Sequence, residues 1–180
     1  MKKLLTTLTA LFVLSLLVVP IFAATASDNI DVQILIPARV GININNTGAL
    51  IFDLTSVTIP TSFPAYYFPN GTETQILMDI FCNAKNGYNL EVQASGDFDP
   101  EIPVSQLYFA PAGTPKTADG TANPASPWTP FSTSLINVES GPKLNGWVTK
   151  NQAIEFKWED SDPEIDPAAT VTLTYTITSL

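Results

Sequence analysis

The run Val171-Thr172-Leu173-Thr174-Tyr175-Thr176-Ile177-Thr178 sets an apolar residue at every second position and a threonine between each pair. Successive side chains of a pleated strand point to opposite faces, so this run gives one side to a core and the other to water. Its β-branched and aromatic residues suit a half-buried sheet surface. No stretch of the chain follows the period of a helix with comparable regularity. A chain built from such segments has to bury one face of each against another sheet.

The alternation recurs along the chain. Ile76, Met78, Ile80 and Cys82 alternate before Asn86-Gly87, and Tyr88, Leu90, Val92 and Ala94 alternate after it. Asn-Gly between two such runs predicts a tight hairpin, because its turn needs positive φ angles. Further strands are expected over residues 30–36, 40–44, 50–54, 104–109, 134–138 and 154–158. Pro37 separates the first two, since it has no amide hydrogen to give to a ladder. Prolines and glycines lie between the strands and are not pooled in one linker, which argues against a two-domain division. Many short strands with this punctuation predict an all-β fold, a single antiparallel β-sandwich of the immunoglobulin-like or Greek-key type with about seven to nine strands. Two long connections are expected. Residues 110–130 are rich in proline and glycine, and residues 56–74 carry Phe63, Tyr66, Tyr67 and Phe68 beside three prolines. Loops of that length are common places for function.

The first residues set the compartment. Met1-Lys2-Lys3 is basic, residues 4–22 are almost wholly apolar or hydroxylated, and Ala24-Thr25-Ala26 follows. These are the three parts of a secretory signal peptide. Residues 1–26 are expected to be removed, leaving one domain over residues 27–180 in an extracytoplasmic place, secreted or on the cell surface. No later segment approaches the roughly 20 apolar residues that span a bilayer.

Charge and residue types exclude several functions. The net charge of −9 repels phosphate backbones, so nucleic acid is not an expected partner. Cys82 is the single cysteine; no intrachain disulfide can form, and a buried thiol is expected. The chain has no histidine, which removes Ser-His-Asp and Cys-His arrangements and histidine zinc sites. It also lacks a Gly-rich phosphate loop. A carboxylate pair would remain for glycoside hydrolysis, but the spacing of Asp97, Asp99, Glu101, Glu155 and Glu159 selects no pair. We therefore expect no enzyme and no catalytic residue.

Three groups of residues are candidates for binding. The acidic run 159–166 places Asp160, Asp162, Glu164 and Asp166 in one connection, and calcium takes six to eight oxygen ligands. The same run also reads as a solvated acidic loop, and no other cofactor is implied. Tyr66 and Tyr67 offer flat apolar rings with polar edges, suited to stacking on a glycan or a partner, or to covering the open end of a sandwich. Ile30, Val32, Ile34 and Ile36 alternate directly behind the signal segment. They could form the first strand of the chain's own sheet, or pair with the sheet edge of a neighbouring subunit through main-chain hydrogen bonds. Trp147 and Trp158 are expected in the core. Asn45-Asn46-Thr47 and Asn70-Gly71-Thr72 match the N-glycosylation pattern.

A strand closing in Ile36-Pro37-Ala38, then Ile51-Phe52-Asp53-Leu54, the run Asn83-Ala84-Lys85-Asn86-Gly87-Tyr88-Asn89-Leu90 and a threonine-rich last strand form a recognisable succession. This layout resembles secreted prokaryotic surface β-sandwich proteins of the fimbrial-subunit and WxL types. The W-x-L triplets themselves are absent, since Trp128, Trp147 and Trp158 have no leucine two places on. The resemblance implies an exported cell-surface structural protein that could form filaments or a surface layer by strand pairing, with self-association or another surface protein as partner. The alternative is a monomeric module that binds glycan or cell wall through the aromatic loop.

Overall fold

The computed structural model describes residues 30–114, 119–120, 127–165 and 167–180. Residues 1–26, read from the sequence as a signal peptide, and Asp166 lie outside the described residues. The chain divides into two compact units, Met1–Leu35 and Ile36–Leu180. The second contains all the strands found among the described residues.

These strands are β1 (Val40–Ile44), β2 (Ala65–Tyr67), β3 (Gln75–Ile76), β4 (Met78–Cys82), β5 (Tyr88–Ala94) and β6 (Leu107–Pro111), followed by β7 (Thr129–Pro130), β8 (Ile136–Gly141), β9 (Val148–Thr149), β10 (Gln152–Trp158) and β11 (Leu173–Ser179). The fold is all-β, with every ladder between named strands antiparallel. One sheet has the order β1-β4-β9, a second β11-β5-β8, and a third β2-β10-β6-β7, with β3 also paired to β10. The eleven strands exceed the expected seven to nine because β3, β7 and β9 are two-residue pieces too short to leave a periodic signal.

Alternation explains the core directly. Met78, Ile80 and Cys82 of β4 and Tyr88, Leu90, Val92 and Ala94 of β5 are all buried, and they share one cluster with Phe109, Phe131 and Ile154. The residues between them on β4 and β5 are half-buried or exposed. Burying one such Leu or Ile side chain is worth about 1.5–3 kcal/mol, so these two strands hold much of the apolar gain. The Cys82 thiol is buried, as its apolar setting suggested, and donates to the Gly87 carbonyl at 3.3 Å.

The Asn86-Gly87 turn forms, but not as a hairpin. Strand β4 pairs with β1 and β9, whereas β5 pairs with β11 and β8, so the chain crosses from one sheet to another. A two-residue hairpin turn of the Asn-Gly type requires positive φ at both central residues. Here Gly87 has φ of 97° and no non-glycine residue among those described has positive φ. The turn closes with the Gly87 amide on the Ala84 carbonyl, and the Gly87 carbonyl accepts the Leu180 amide.

Other expectations need correction. Residues 30–36 form no strand; Ile30, Val32, Ile34 and Ile36 are exposed. Residues 50–54 also form none, although Leu50 makes an isolated bridge to Glu73 and Phe52 packs on the core. The proline-rich connection 56–74 contains β2, which carries Tyr66 and Tyr67 into the third sheet. Trp147 is not core: it is 57 % exposed, lying against Phe81 on the outer side of the first sheet. Trp158 is half-buried, with Phe63 edge-on to its ring and Tyr67 tilted against it. The third sheet has a second small cluster, Phe68, Ala110, Trp128 and Ala153, on the side away from Ile154.

The crossing at Gly87 yields a comparison. A Cβ there would sit 2.0 Å from the Gly141 carbonyl oxygen, whereas one at Gly146, also at positive φ, meets nothing within 4 Å. Gly146→Ala should cost about 1–2 kcal/mol from backbone strain alone. Gly87→Ala should cost clearly more, because a backbone carbonyl cannot step aside. Denaturant midpoints of the two variants check this, and equal losses would contradict it.

Candidate functional site

Among the described residues the first and second sheets are open on both sides, with β1 a border strand of one and β11 a border strand of the other. Strand β1 pairs with β4 alone and β11 with β5 alone among the described residues, and Cα atoms of β1 and β11 approach within 8 Å of one another. Val40 and Ile42 on β1 and Leu173, Tyr175 and Ile177 on β11 pack against the main cluster, yet all five stay half-exposed. The core is therefore less covered along this seam than between β4 and β5.

The backbone at the seam follows from ladder geometry. Antiparallel strands alternate between residues that bond to their neighbour and residues whose amide and carbonyl point away. The Ser95 amide donates to the Thr172 carbonyl and the Leu180 amide to the Gly87 carbonyl, so even-numbered residues of β11 bond toward β5. Leu173, Tyr175, Ile177 and Ser179 then direct their backbone groups outward. On β1, Asn83 donates to Arg39 and Asn45 to Leu77, which leaves Val40, Ile42 and Ile44 directed outward.

The far end of β1 is held by carboxylates. Glu73 accepts from the Thr47 amide at 2.9 Å, the Thr47 hydroxyl at 2.8 Å and the Asn46 amide group at 3.0 Å. These bonds favour the ionised form, and the Thr47 amide leads in holding the Glu73 carboxyl below its ordinary value. Asp79 is lowered in the same way by the Thr149 hydroxyl and then by Asn45. Both glycosylation-pattern asparagines have engaged side chains: Asn45 donates to Asp79, and Asn70 accepts from the Asp53 amide while donating to its carbonyl.

Of the two tyrosines singled out in the sequence, Tyr67 is 3 % exposed, while Tyr66 is half-exposed and stands edge-on to Tyr108 at 6.1 Å between ring centres. A cleft of about 410 Å³ opens beside Tyr108, lined also by Gln106, Pro130, Lys157, Glu159 and Asp162. Lys157 is paired to Glu159, and that bond raises the Lys157 pKa. The sequence missed Tyr108 because its run, residues 104–109, reads simply as a strand.

Among its described residues the acidic run does not gather into a cage. Asp162 is a turn anchor, accepting the Glu159 amide at 2.7 Å and the Gln106 side chain at 2.9 Å to each oxygen. Asp160 and Glu164 are exposed. Among the described residues, no three His, Cys, Asp or Glu side chains come together as a metal site. The smaller acidic segment behaves similarly, with Asp97 accepting the Val104 amide and Asp99 the Glu101 amide.

Depressed carboxyl pKa values make a pH prediction. A carboxylate lowered on folding contributes stability that is present above its unfolded pKa and lost as pH falls through the folded one. Glu73→Gln should therefore be less stable than the parent at pH 7. The difference should shrink as pH drops below 4.5, the ordinary value for this group. Thermal melts of both chains from about pH 7 to pH 3 test it, and a gap that widens in acid would contradict the role given to Glu73. Comparison with protein-family models, with curated proteins and with solved structures finds no match to this chain.

Proposed function

We propose that this chain is an exported, extracytoplasmic structural subunit of the cell surface that assembles by main-chain strand pairing. In this reading residues 1–26 are a signal peptide. The three sheets form a β-sandwich whose two faces are β1-β4-β9, continued by the third sheet, and β11-β5-β8.

One observation carries the proposal. Residues 30–36 alternate Ile30, Val32, Ile34 and Ile36 with Asp31, Gln33 and Leu35, and they are exposed without strand pairing; Ile30 is 88 % and Leu35 94 % exposed. Isolated exposed apolar residues are ordinary, but five large ones within seven positions form an interaction surface. Alternation, broken only by Leu35, specifies the occupant's shape, since an extended segment with one mainly apolar side fits the edge of an open sheet. Ordering such a segment costs about 1–2 kcal/mol per residue. Burial of its side chains and new main-chain bonds together must exceed that, so each isoleucine matters.

Light scattering and electron microscopy of the chain from residue 27 should show oligomers or filaments at neutral pH. Removing residues 27–35, which leaves the compact unit 36–180 intact, should give monomers. Ile34→Asp forfeits about 2 kcal/mol of burial, so the concentration needed for assembly should rise about thirtyfold or more. Undiminished assembly in both variants would end the proposal.

A second reading, a glycan-binding module, is favoured by the half-exposed Tyr66 and Tyr108 rings beside a cleft with amide and carboxylate walls. Such a surface suits a sugar ring, which offers an apolar face and hydroxyls at its rim. Tyr108→Ala and Tyr66→Ala should then each weaken retention on immobilised polysaccharide at least tenfold without changing the circular dichroism spectrum. Retention equal to the parent's would remove this reading and leave the first untouched.

A further inference from the structure

We infer that the outer edge of β11 is the acceptor for residues 30–36 of a second copy of this chain. The inference rests on the strand-pairing reading above and adds which edge receives the segment. Among the described residues seven strands border the three sheets, the two-residue β3 included, and they differ in fitness for pairing. Strands β2, β7 and β9 offer three or two residues each, and Pro130 removes an amide from β7. Opposite β8, the ladder shifts register at Leu90/Glu91, and β8 itself carries Glu139. Short length, proline, charge and bulges are the devices by which natural proteins blunt exposed edges. Strand β1 has five residues, including Gly41, a residue that weakens a strand.

Strand β11 shows none of these devices, although Cα atoms of β1 come within 8 Å of it. It has seven residues without charge, proline, glycine or a register shift against β5. Its outward backbone groups belong to Leu173, Tyr175, Ile177 and Ser179, four donors and four acceptors in one row. Residues 30–36 are also seven in number. Centring Gln33 on Thr176 satisfies side-chain parity in either strand direction. Ile30, Val32, Ile34 and Ile36 then stand on the same face as Leu173, Tyr175 and Ile177, over the half-exposed seam. Asp31, Gln33 and Leu35 stand with the threonines on the outer face. Asp31 meets no like charge on β11, whereas at β8 it would add to Glu139.

Disulfide trapping tests the edge. Cys82 is buried and stays silent, and Gln33, Thr176, Asn43 and Asn137 are all exposed. Chains carrying Gln33→Cys are mixed under mild oxidation with chains carrying Thr176→Cys on β11, Asn43→Cys on β1 or Asn137→Cys on β8. The expected result is a mixed dimer on a non-reducing gel for Thr176, at least tenfold above the other two. Linkage to Asn43 or Asn137 in its place overturns the assignment to β11 while leaving strand pairing itself standing. Absence of all three products, with monomers by light scattering, overturns both. Thr176→Lys supplies a second measurement: by placing a charge beside the incoming strand it should reduce assembly, and normal assembly would speak against β11.

Discussion

The structure depends on the opposition of β4 and β5. Seven inward side chains from these strands are buried, yet the two are joined by a turn of a few residues and belong to different sheets. Because they do not pair with each other, each is free to take a partner on both sides. Strand β4 gathers β1 and β9, and β5 gathers β11 and β8. One sharp crossing thereby organises two sheets around a single core. The geometry at Gly87 permits it: positive φ, a carbonyl that accepts both the Cys82 thiol and the Leu180 amide, and no Cβ where the Gly141 carbonyl passes.

What the sequence made legible was the inside and outside of strands. The alternations at residues 76–82, 88–94 and 171–178 fall on β3 with β4, on β5 and on β11, and the faces the pattern assigns to the core are buried in the first three strands and half-buried in β11. Pairing was not legible at Asn86-Gly87, because a turn signal says where the chain reverses and carries nothing about which ladders the flanking strands join. Residues 50–54 have strand-like composition, but their backbone is tied to Asn70 through the Asp53 amide and carbonyl, and only Leu50 and Phe52 among them pack against the core. Strand β2 was hidden by its length; three residues cannot display a period. Trp147 misled for a different reason: a large ring suggests a core, but Trp147 covers the Gly41 backbone and Phe81 from outside.

The candidate site was partly legible. Tyr66 was visible as an aromatic in a long connection, whereas its neighbour Tyr108 sits in a run that reads only as strand. The acidic run was visible as charge, but its chemistry depends on Asp162, whose two oxygens are occupied by Gln106 and the Glu159 amide. A carboxylate used to fix a turn has fewer lone pairs left for a cation. Periodicity marked residues 30–36 as a strand of the chain's own sheet or of a neighbour's, and in the structure they join none.

Charge narrows that last question. A chain at −9 repels its own copies, and at physiological salt this repulsion acts over about 8 Å, the range of a contact. Association is then easiest where both surfaces are locally uncharged. Strand β11 has no charged residue, and residues 30–36 have Asp31 alone, on the face that parity turns outward. The same acidity that opposes indiscriminate sticking leaves a neutral strip at an unblunted edge and a nearly neutral segment of matching length. In this chain specificity of self-association would come from where charge is missing, with the main chain supplying the bonds.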